Sequence, residues 1–364
     1  TPTVVEELVV VKNKVNDHKP TGRLPIPDHL ERVDIYLEPE QDTTGYRKVR
    51  EEITEQLDYV PGKLIVRRYI RPKYAKDAAD GTTTEFIIAP LPDFAIERGM
   101  AAPGLLAQII VDKHVDHLPI YRQIKRYQRH GVKLAASTIS GWLDATATLL
   151  EPLAGELKKQ VFSSRYIQAD ETPLPVLDGE TKGAAHTGYL WAYHSPPLQL
   201  IYYDYQPGRS KKGPLGLLNN FSGYLQTDGY GVYDHAAIGG RADITQLHCM
   251  AHARRYFEKA LPTDKAPAEY FLTELQKLYA IERRIREQQH SAAEIVAIRK
   301  QEAVPILNAL KTWLTEQYTT NLVKGPITTA VSYALARWDK LSVYTTDSQL
   351  QIDNNLVENA MRPV

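Results

Sequence analysis

Tyr166-Ile-Gln-Ala-Asp170-Glu171-Thr-Pro is a short strand pattern running into a pair of carboxylates, and the segments around it decide the fold. Gly188-Tyr-Leu-Trp-Ala-Tyr-His and Leu198-Gln-Leu-Ile-Tyr-Tyr-Asp-Tyr follow as strands, expected to pair antiparallel across Ser195-Pro-Pro. A helix near residues 211–220 leads to Gly223-Tyr-Leu-Gln-Thr-Asp228, a fourth strand that closes on another carboxylate. Ile244-Thr-Gln-Leu-His-Cys249 is a fifth and runs into a helix from about Met250.

The order is three strands, helix, strand, helix, strand, helix, which is that of a ribonuclease-H-like mixed sheet in an α/β fold. Residues 266–326 read as a helical insertion, with Leu275, Leu278, Ile281 and Ile285 at helical spacing and Ser291-Ala-Ala-Glu294 as a capping box. A further amphipathic helix is expected over residues 327–341. The core would comprise residues 161–265 and 327–364.

A third acid lies in Asp353-Asn-Asn-Leu-Val-Glu358-Asn-Ala-Met-Arg-Pro. Read as a helix, this segment puts Asn354, Glu358 and Arg362 on one face beside Asn355 and Asn359, with Leu356, Val357, Ala360 and Met361 opposite. Asp170, Asp228 and Glu358 brought together would repel one another unless a cation neutralised them. Oxygen-only ligation fits Mg²⁺ or Mn²⁺. Asp353 is the main rival to Glu358, while Glu171, on the opposite side of its strand from Asp170, reads as a neighbour. In His248-Cys-Met-Ala-His252-Ala-Arg-Arg, Cys249 and His252 share a helical face, with a structural or DNA-positioning role favoured over a metal site.

Upstream, residues 98–160 read as a helix-turn-helix-like region. Leu105, Leu106, Ile109 and Ile110 mark one helix after Pro103; Ile120, Ile124 and Tyr127 a second, closed by Gly131. Ser137 can cap a third, whose stripe is Ile139, Trp142, Leu143, Leu149 and Leu150. Residues 34–97 form a small β-rich module, with strands at Asp34–Leu37 and Lys63–Ile70 and a turn at Ala78–Gly81. Residues 1–33 read as a linker or arm.

The 44 basic and 44 acidic residues balance, so net charge names no partner. The local distribution does: Arg67, Arg68, Arg71 and Lys73 fall in an acid-free run, as do Arg122, Lys125, Arg126 and Arg129. With Arg254, Arg255 and Arg362 these are the candidate DNA contacts. A single cysteine excludes an intramolecular disulfide, and no apolar run has the length of a membrane span. A reducing, cytoplasmic setting is expected. The chain starts without Met and stops at Arg362-Pro-Val, as expected of a trimmed or incomplete protein.

Taken together, Gln168-Ala-Asp-Glu-Thr-Pro, Gly188-Tyr-Leu-Trp, Tyr205-Gln-Pro-Gly-Arg-Ser, Leu225-Gln-Thr-Asp-Gly-Tyr, His248-Cys-Met-Ala-His-Ala-Arg-Arg and Ile352-Asp-Asn-Asn-Leu-Val-Glu-Asn-Ala-Met-Arg-Pro resemble the insertion sequence 66 family of DDE transposases. His117-Leu-Pro-Ile-Tyr-Arg-Gln is similar to that family's helical DNA-binding region. The resemblance implies metal-dependent DNA cleavage and strand transfer, with Asp170, Asp228 and Glu358 as the triad. It implies double-stranded DNA (element ends and target) as substrate, a homo-oligomer on DNA, accessory proteins of the element and a bacterial, nucleoid-associated setting. Cys249 and His252 match a Cys-x2-His element after the second Asp. The family's amino-terminal module carries paired Cys-x2-Cys motifs, whereas residues 34–90 have no cysteine, so no zinc is expected there. The alternatives are a ribonuclease-H-like nuclease without joining activity and a catalytically inactive DNA-binding relative.

Overall fold

A computed structural model of the chain describes residues 99–177, 184–320 and 325–362, with 62, 64–67, 69, 73–77, 83–88, 90 and 92–97. The chain divides into two units, residues 1–72 and 73–364. In the first, positions 64–67 and 69 form no strand, contrary to the expectation for Lys63–Ile70. Leu64-Ile65-Val66 followed by Arg67 lacks the period-two alternation that gives a strand a face to bury, and all four are exposed. The arm, the Asp34–Leu37 strand and the Ala78–Gly81 turn lie outside the described residues.

The second unit opens with an antiparallel hairpin of β1 (Lys73–Asp77) and β2 (Thr83–Ile88), with Lys73 opposite Ile88. Three helices follow: α1 (Pro103–His114), α2 (Ile120–Arg129) and α3 (Ala136–Ser163). Pro103 starts α1, where a missing N–H is harmless, and Gly131 follows α2 at φ 78°, as a left-handed cap requires. Leu106, Ile109, Tyr127, Ile139 and Trp142 form their shared core. Buried Gln123 ties α2 to α1, donating to the carbonyls of Ile109 (3.3 Å) and Leu118 (3.0 Å). Ser137 is not the cap of α3; Ala135 is, without a side-chain hydrogen bond. The expected stripe also ends early, since Leu149 and Leu150 are exposed where α3 has left this small core.

Helix α3 carries the chain to a five-stranded mixed sheet of β3 (Tyr166–Leu177), β4 (Ala185–Ser195), β5 (Leu200–Gln206), β6 (Gly223–Thr227) and β7 (Ile244–His248). The order is β5-β4-β3-β6-β7; the first three are antiparallel, and β6 and β7 run parallel to β3. Helix α4 (Lys212–Leu218) precedes β6. The helix expected between β6 and β7 is absent: residues 229–243 are turns, and Gly229, Gly231, Gly239 and Gly240 disfavour a helix there.

The remaining elements are α5 (Met250–Ala260), α6 (Lys265–Glu287), α7 (Ala292–Ile298), a π-helical turn (Arg299–Ala303), α8 (Val304–Thr320), α9 (Pro326–Ser342), a 3-10 turn (Val343–Thr346) and α10 (Asn355–Met361). The Ser291/Glu294 capping box forms in both directions. Alternation along β3 splits the packing: Ile167 and Ala169 join Val161, Trp191 and Phe221 on one face, while Tyr166 joins Phe257, Phe271, Leu310 and Trp338 on the other. Even-numbered β3 residues therefore face the helical side, where α10 packs against β3 and β4.

Candidate active site

Asp170 shares the helical face of β3 with Tyr166 and Gln168, and Asp228 follows the end of β6 on the neighbouring strand. Asp170 is not at a strand end. Strand β3 runs on to Leu177, but its pairing with β6 stops at Gln168, so the strands have already separated where the carboxylate stands. Pro173 and Pro175 sit on that unpaired edge, where a missing N–H breaks no ladder. At Gly229, φ is 87° and a Cβ would lie 2.8 Å from Nε of Arg337, so the turn after Asp228 needs glycine.

The third carboxylate is delivered by hydrogen bonds that no local pattern shows. The Gln168 side-chain amide donates to the Tyr166 hydroxyl (2.9 Å), to Oε1 of Gln226 (2.8 Å) and to the Asp353 carbonyl (3.0 Å). Its oxygen accepts from the Val357 N–H at 3.1 Å. Gln226 donates to the Gln351 carbonyl (2.9 Å), and Tyr203 on β5 donates to the Ala360 carbonyl (2.6 Å). Met250 N–H donates to the Ile352 carbonyl (3.1 Å) and Asn354 N–H to Sγ of Cys249 (3.4 Å). Residues 351–360 are thus stitched to β3, β5, β6 and the start of α5, and Glu358 follows the residue bonded to Gln168.

The faces of α10 differ from the sequence expectation. Asn354 precedes the helix and is wholly buried, whereas Leu356 is exposed. Buried Asp353 accepts from the Tyr279 hydroxyl (2.9 Å) and the Asn355 N–H (3.1 Å), so both its oxygens are engaged in holding the helix start. Glu358 instead faces α5: Oε2 accepts from Arg255 at 2.8 Å, and Oε1 lies 3.9 Å from Nδ1 of His252.

Burial pushes the Asp170 carboxyl up to about 7 despite a hydrogen bond from the Glu171 N–H, and the charges of Asp228, Glu171 and Glu358 push the same way. Glu171 is raised by burial and held down by Arg209, which donates to it at 2.8 Å and lies 4.0 Å over the Tyr230 ring. Burial, then Lys340 and Arg337, lowers His248 to about 4.

Of the basic candidates, Arg122, Lys125 and Arg129 on α2 are exposed, as are Arg67 and Arg362. Arg126 is ion-paired to buried Asp112 and braces α1 against α2. Arg254 pairs with Glu258 one turn on, at 2.8 Å, and Arg255 is held by Glu358. The Lys73 side chain, Arg68 and Arg71 lie outside the described residues. Cys249, His252 and Glu358 converge, each with a ligand atom within 4.8 Å of the others. Local spacing pairs Cys249 with His252 but cannot bring in Glu358 as their third member, because it lies 106 positions beyond His252. Local spacing also misses Gln168 and Gln226, whose only sequence signal is an amide at the same place in two adjacent strands.

No helix among the described residues is long and apolar enough to cross a membrane. The chain is 32% identical over 356 residues to protein y4jD of Sinorhizobium fredii, matching 93% of this chain and 68% of that protein. It is 32% identical over 363 residues to y4qI of the same organism, matching 94% of this chain and 66% of that protein. It therefore spans about two thirds of the length of these curated relatives. Residues 44–75 match the zinc-finger binding domain of transposase IS66, which points to zinc binding and overturns the expectation of no zinc in residues 34–90. That expectation rested on missing cysteines; the matched segment holds no histidine either, so carboxylates such as Glu51, Glu52, Glu55 and Asp58 are the zinc-ligand type it offers. Residues 98–364, most of the chain, match the transposase IS66 family model, and the chain belongs to that family.

Proposed function

We propose that this chain is the catalytic portion of a DDE transposase, cutting and joining double-stranded DNA at the ends of its own mobile element. Asp170, Asp228 and Glu358 are its carboxylate triad on a ribonuclease-H-like core of residues 161–265 and 327–364. The observation that carries this reading is the Gln168 amide, which bonds the α10 backbone at Val357 on the same face of β3 as Asp170. The donor set also fits a hard divalent cation: Asp170 is a half-buried carboxylate among like charges, and Oε1 of Glu358 is buried without a hydrogen-bond partner.

Bound there, Mg²⁺ or Mn²⁺ would supply Lewis acidity that activates water or a DNA 3′-hydroxyl and steadies the leaving oxygen. The chain's own side chains position the substrate. Exposed Arg122, Lys125 and Arg129 offer contacts to the DNA backbone. Arg255, now paired with Glu358, can turn to a phosphate when that carboxylate is otherwise engaged. Residues 98–160 hold DNA, residues 266–326 form an insertion that buttresses α5 and α9, and two copies bring two element ends together.

The test is cleavage and joining of element-end DNA with Mg²⁺, with Asp170→Asn, Asp228→Asn and Glu358→Gln alongside. The expected result is joined product from the parent and none from the variants. Nicked DNA without joining would favour a nuclease. DNA binding without any cleavage would favour an inactive relative, and variants that cut like the parent would remove the triad.

A further inference from the structure

We infer that Cys249, His252 and Glu358 form a second kind of metal site, taking a thiophilic divalent cation of the zinc class through one sulfur, one imidazole nitrogen and one carboxylate oxygen. The inference shares Glu358 with the function proposed above but does not rest on that reading.

The convergence comes from two elements. Cys249 is the N-cap of α5 and His252 lies three residues on, so both face the same way; Glu358 arrives from α10. Their ligand atoms lie within 4.8 Å of one another, against roughly 3.5 Å for ligands around a tetrahedral zinc, so small side-chain rotations close the set. Two of these atoms, Nδ1 of His252 and Oε1 of Glu358, are buried without a hydrogen-bond partner and are 3.9 Å apart. Buried polar atoms in this state are uncommon in native proteins, and a water or an ion is the usual partner.

Two N–H groups point at the sulfur, as they do at metal thiolates, and partly offset the burial that pushes the metal-free thiol up to about 12. Cys249 is wholly buried, and its Sγ accepts the Asn354 N–H at 3.4 Å and a backbone hydrogen bond from His252. Asn354 is itself fully buried, with both side-chain polar atoms unpartnered. Thiolate, imidazole and carboxylate together select zinc over magnesium, and three protein ligands leave the fourth tetrahedral position open.

Binding has a definite proton and contact balance. The thiol proton leaves to solvent as the sulfur takes the cation. Arg255 donates to Nε2 of His252 at 3.0 Å, so in the neutral ring the proton sits on Nδ1. Capture of the cation at Nδ1 moves that proton to Nε2, and Arg255, a donor only, must turn away from the ring. The site would then clamp α10 to the start of α5 and free a guanidinium beside the carboxylate triad.

The chain's single cysteine makes the test unambiguous, because any sulfur-to-metal absorption must come from Cys249. The whole chain is titrated with Co²⁺ and followed by absorption. We expect a thiolate-to-cobalt charge-transfer band that saturates at one sulfur-bound cobalt per chain, whatever cobalt other residues take up, and that is displaced by Zn²⁺ but not by excess Mg²⁺. Cys249→Ser, checked for folding by circular dichroism, should abolish the charge-transfer band, and His252→Ala should weaken binding about tenfold or more. Asp170→Asn should keep the cobalt spectrum while losing DNA cleavage, so failure of one proposal is told apart from failure of the other. Cobalt bound without a sulfur band, or a spectrum unchanged in both His252→Ala and Glu358→Gln, would overturn the site.

Discussion

Replacing Asp170 by Asn should stabilise the metal-free protein, and by an amount that depends on pH. The side chain keeps its shape, and its oxygen can still accept the Glu171 N–H, 2.8 Å away in the parent. What it loses is the cost of ionising a carboxyl shielded from water beside Asp228, Glu171 and Glu358. The carboxyl is raised from 3.8 to about 7, so folding favours the protonated form. Below pH 3.8 both folded and unfolded chains carry that proton and the site costs nothing. As pH rises towards 7 the unfolded chain releases it first, and stability falls until the folded carboxyl ionises too. About three units, at roughly 1.4 kcal/mol each, cap the penalty near 4 kcal/mol above pH 7. Urea unfolding in EDTA at pH 4, 6 and 8 measures it. The Asn variant should match the parent at pH 4, gain steadily, and lead by up to about 4 kcal/mol at pH 8. Added Mg²⁺ should stabilise the parent and not the variant, narrowing the gap. A gain that is flat with pH, or an Asn variant less stable at pH 8, would refute the account of Asp170 as a shielded carboxylate among like charges.

Two further outcomes follow from the packing of α10 and the core beside it. Gln168→Leu should leave the Asp353 carbonyl and Val357 N–H unsatisfied, costing about 2–5 kcal/mol, with faster hydrogen exchange over residues 351–360 as its signature. Arg299→Met should cost about 3–5 kcal/mol, because it strands Glu282 in the core and frees the carbonyls of Tyr344, Asp347 and Leu350. Arg299→Lys should not rescue it, since one ammonium cannot serve all those acceptors; thermal unfolding separates the cases.

Much of the fold was legible locally. Strand periodicity marked all five strands of the main sheet, and the capping box, Pro103 and Gly131 marked helix ends where expected. The errors lay where local pattern has no purchase. Lys63–Ile70 had strand-forming residues without a buriable face, and a glycine-rich connection was read as a helix. Ser137 was a good cap that the helix start did not use. Arg126 looked like a phosphate contact in an acid-free run, yet its partner Asp112 sits on the preceding helix.

The sequence by itself determined which residue types were available: three acids in distinctive settings, one cysteine three residues before a histidine, and an alternation that puts Asp170 and Glu171 on opposite faces of a strand. These follow from periods of two and 3.6 residues, which depend only on the backbone. Which acid of the last segment keeps an unengaged oxygen was a tertiary matter. Tyr279 and the start of α10 occupy Asp353, while Glu358 is turned to Arg255 and His252. The convergence of Glu358 with Cys249 could not be read from spacing either. It exists because Gln168 and Gln226, on adjacent strands, bond a backbone more than 120 residues further along the chain. Hydrogen bonds of that range form only once the sheet has set both amides side by side.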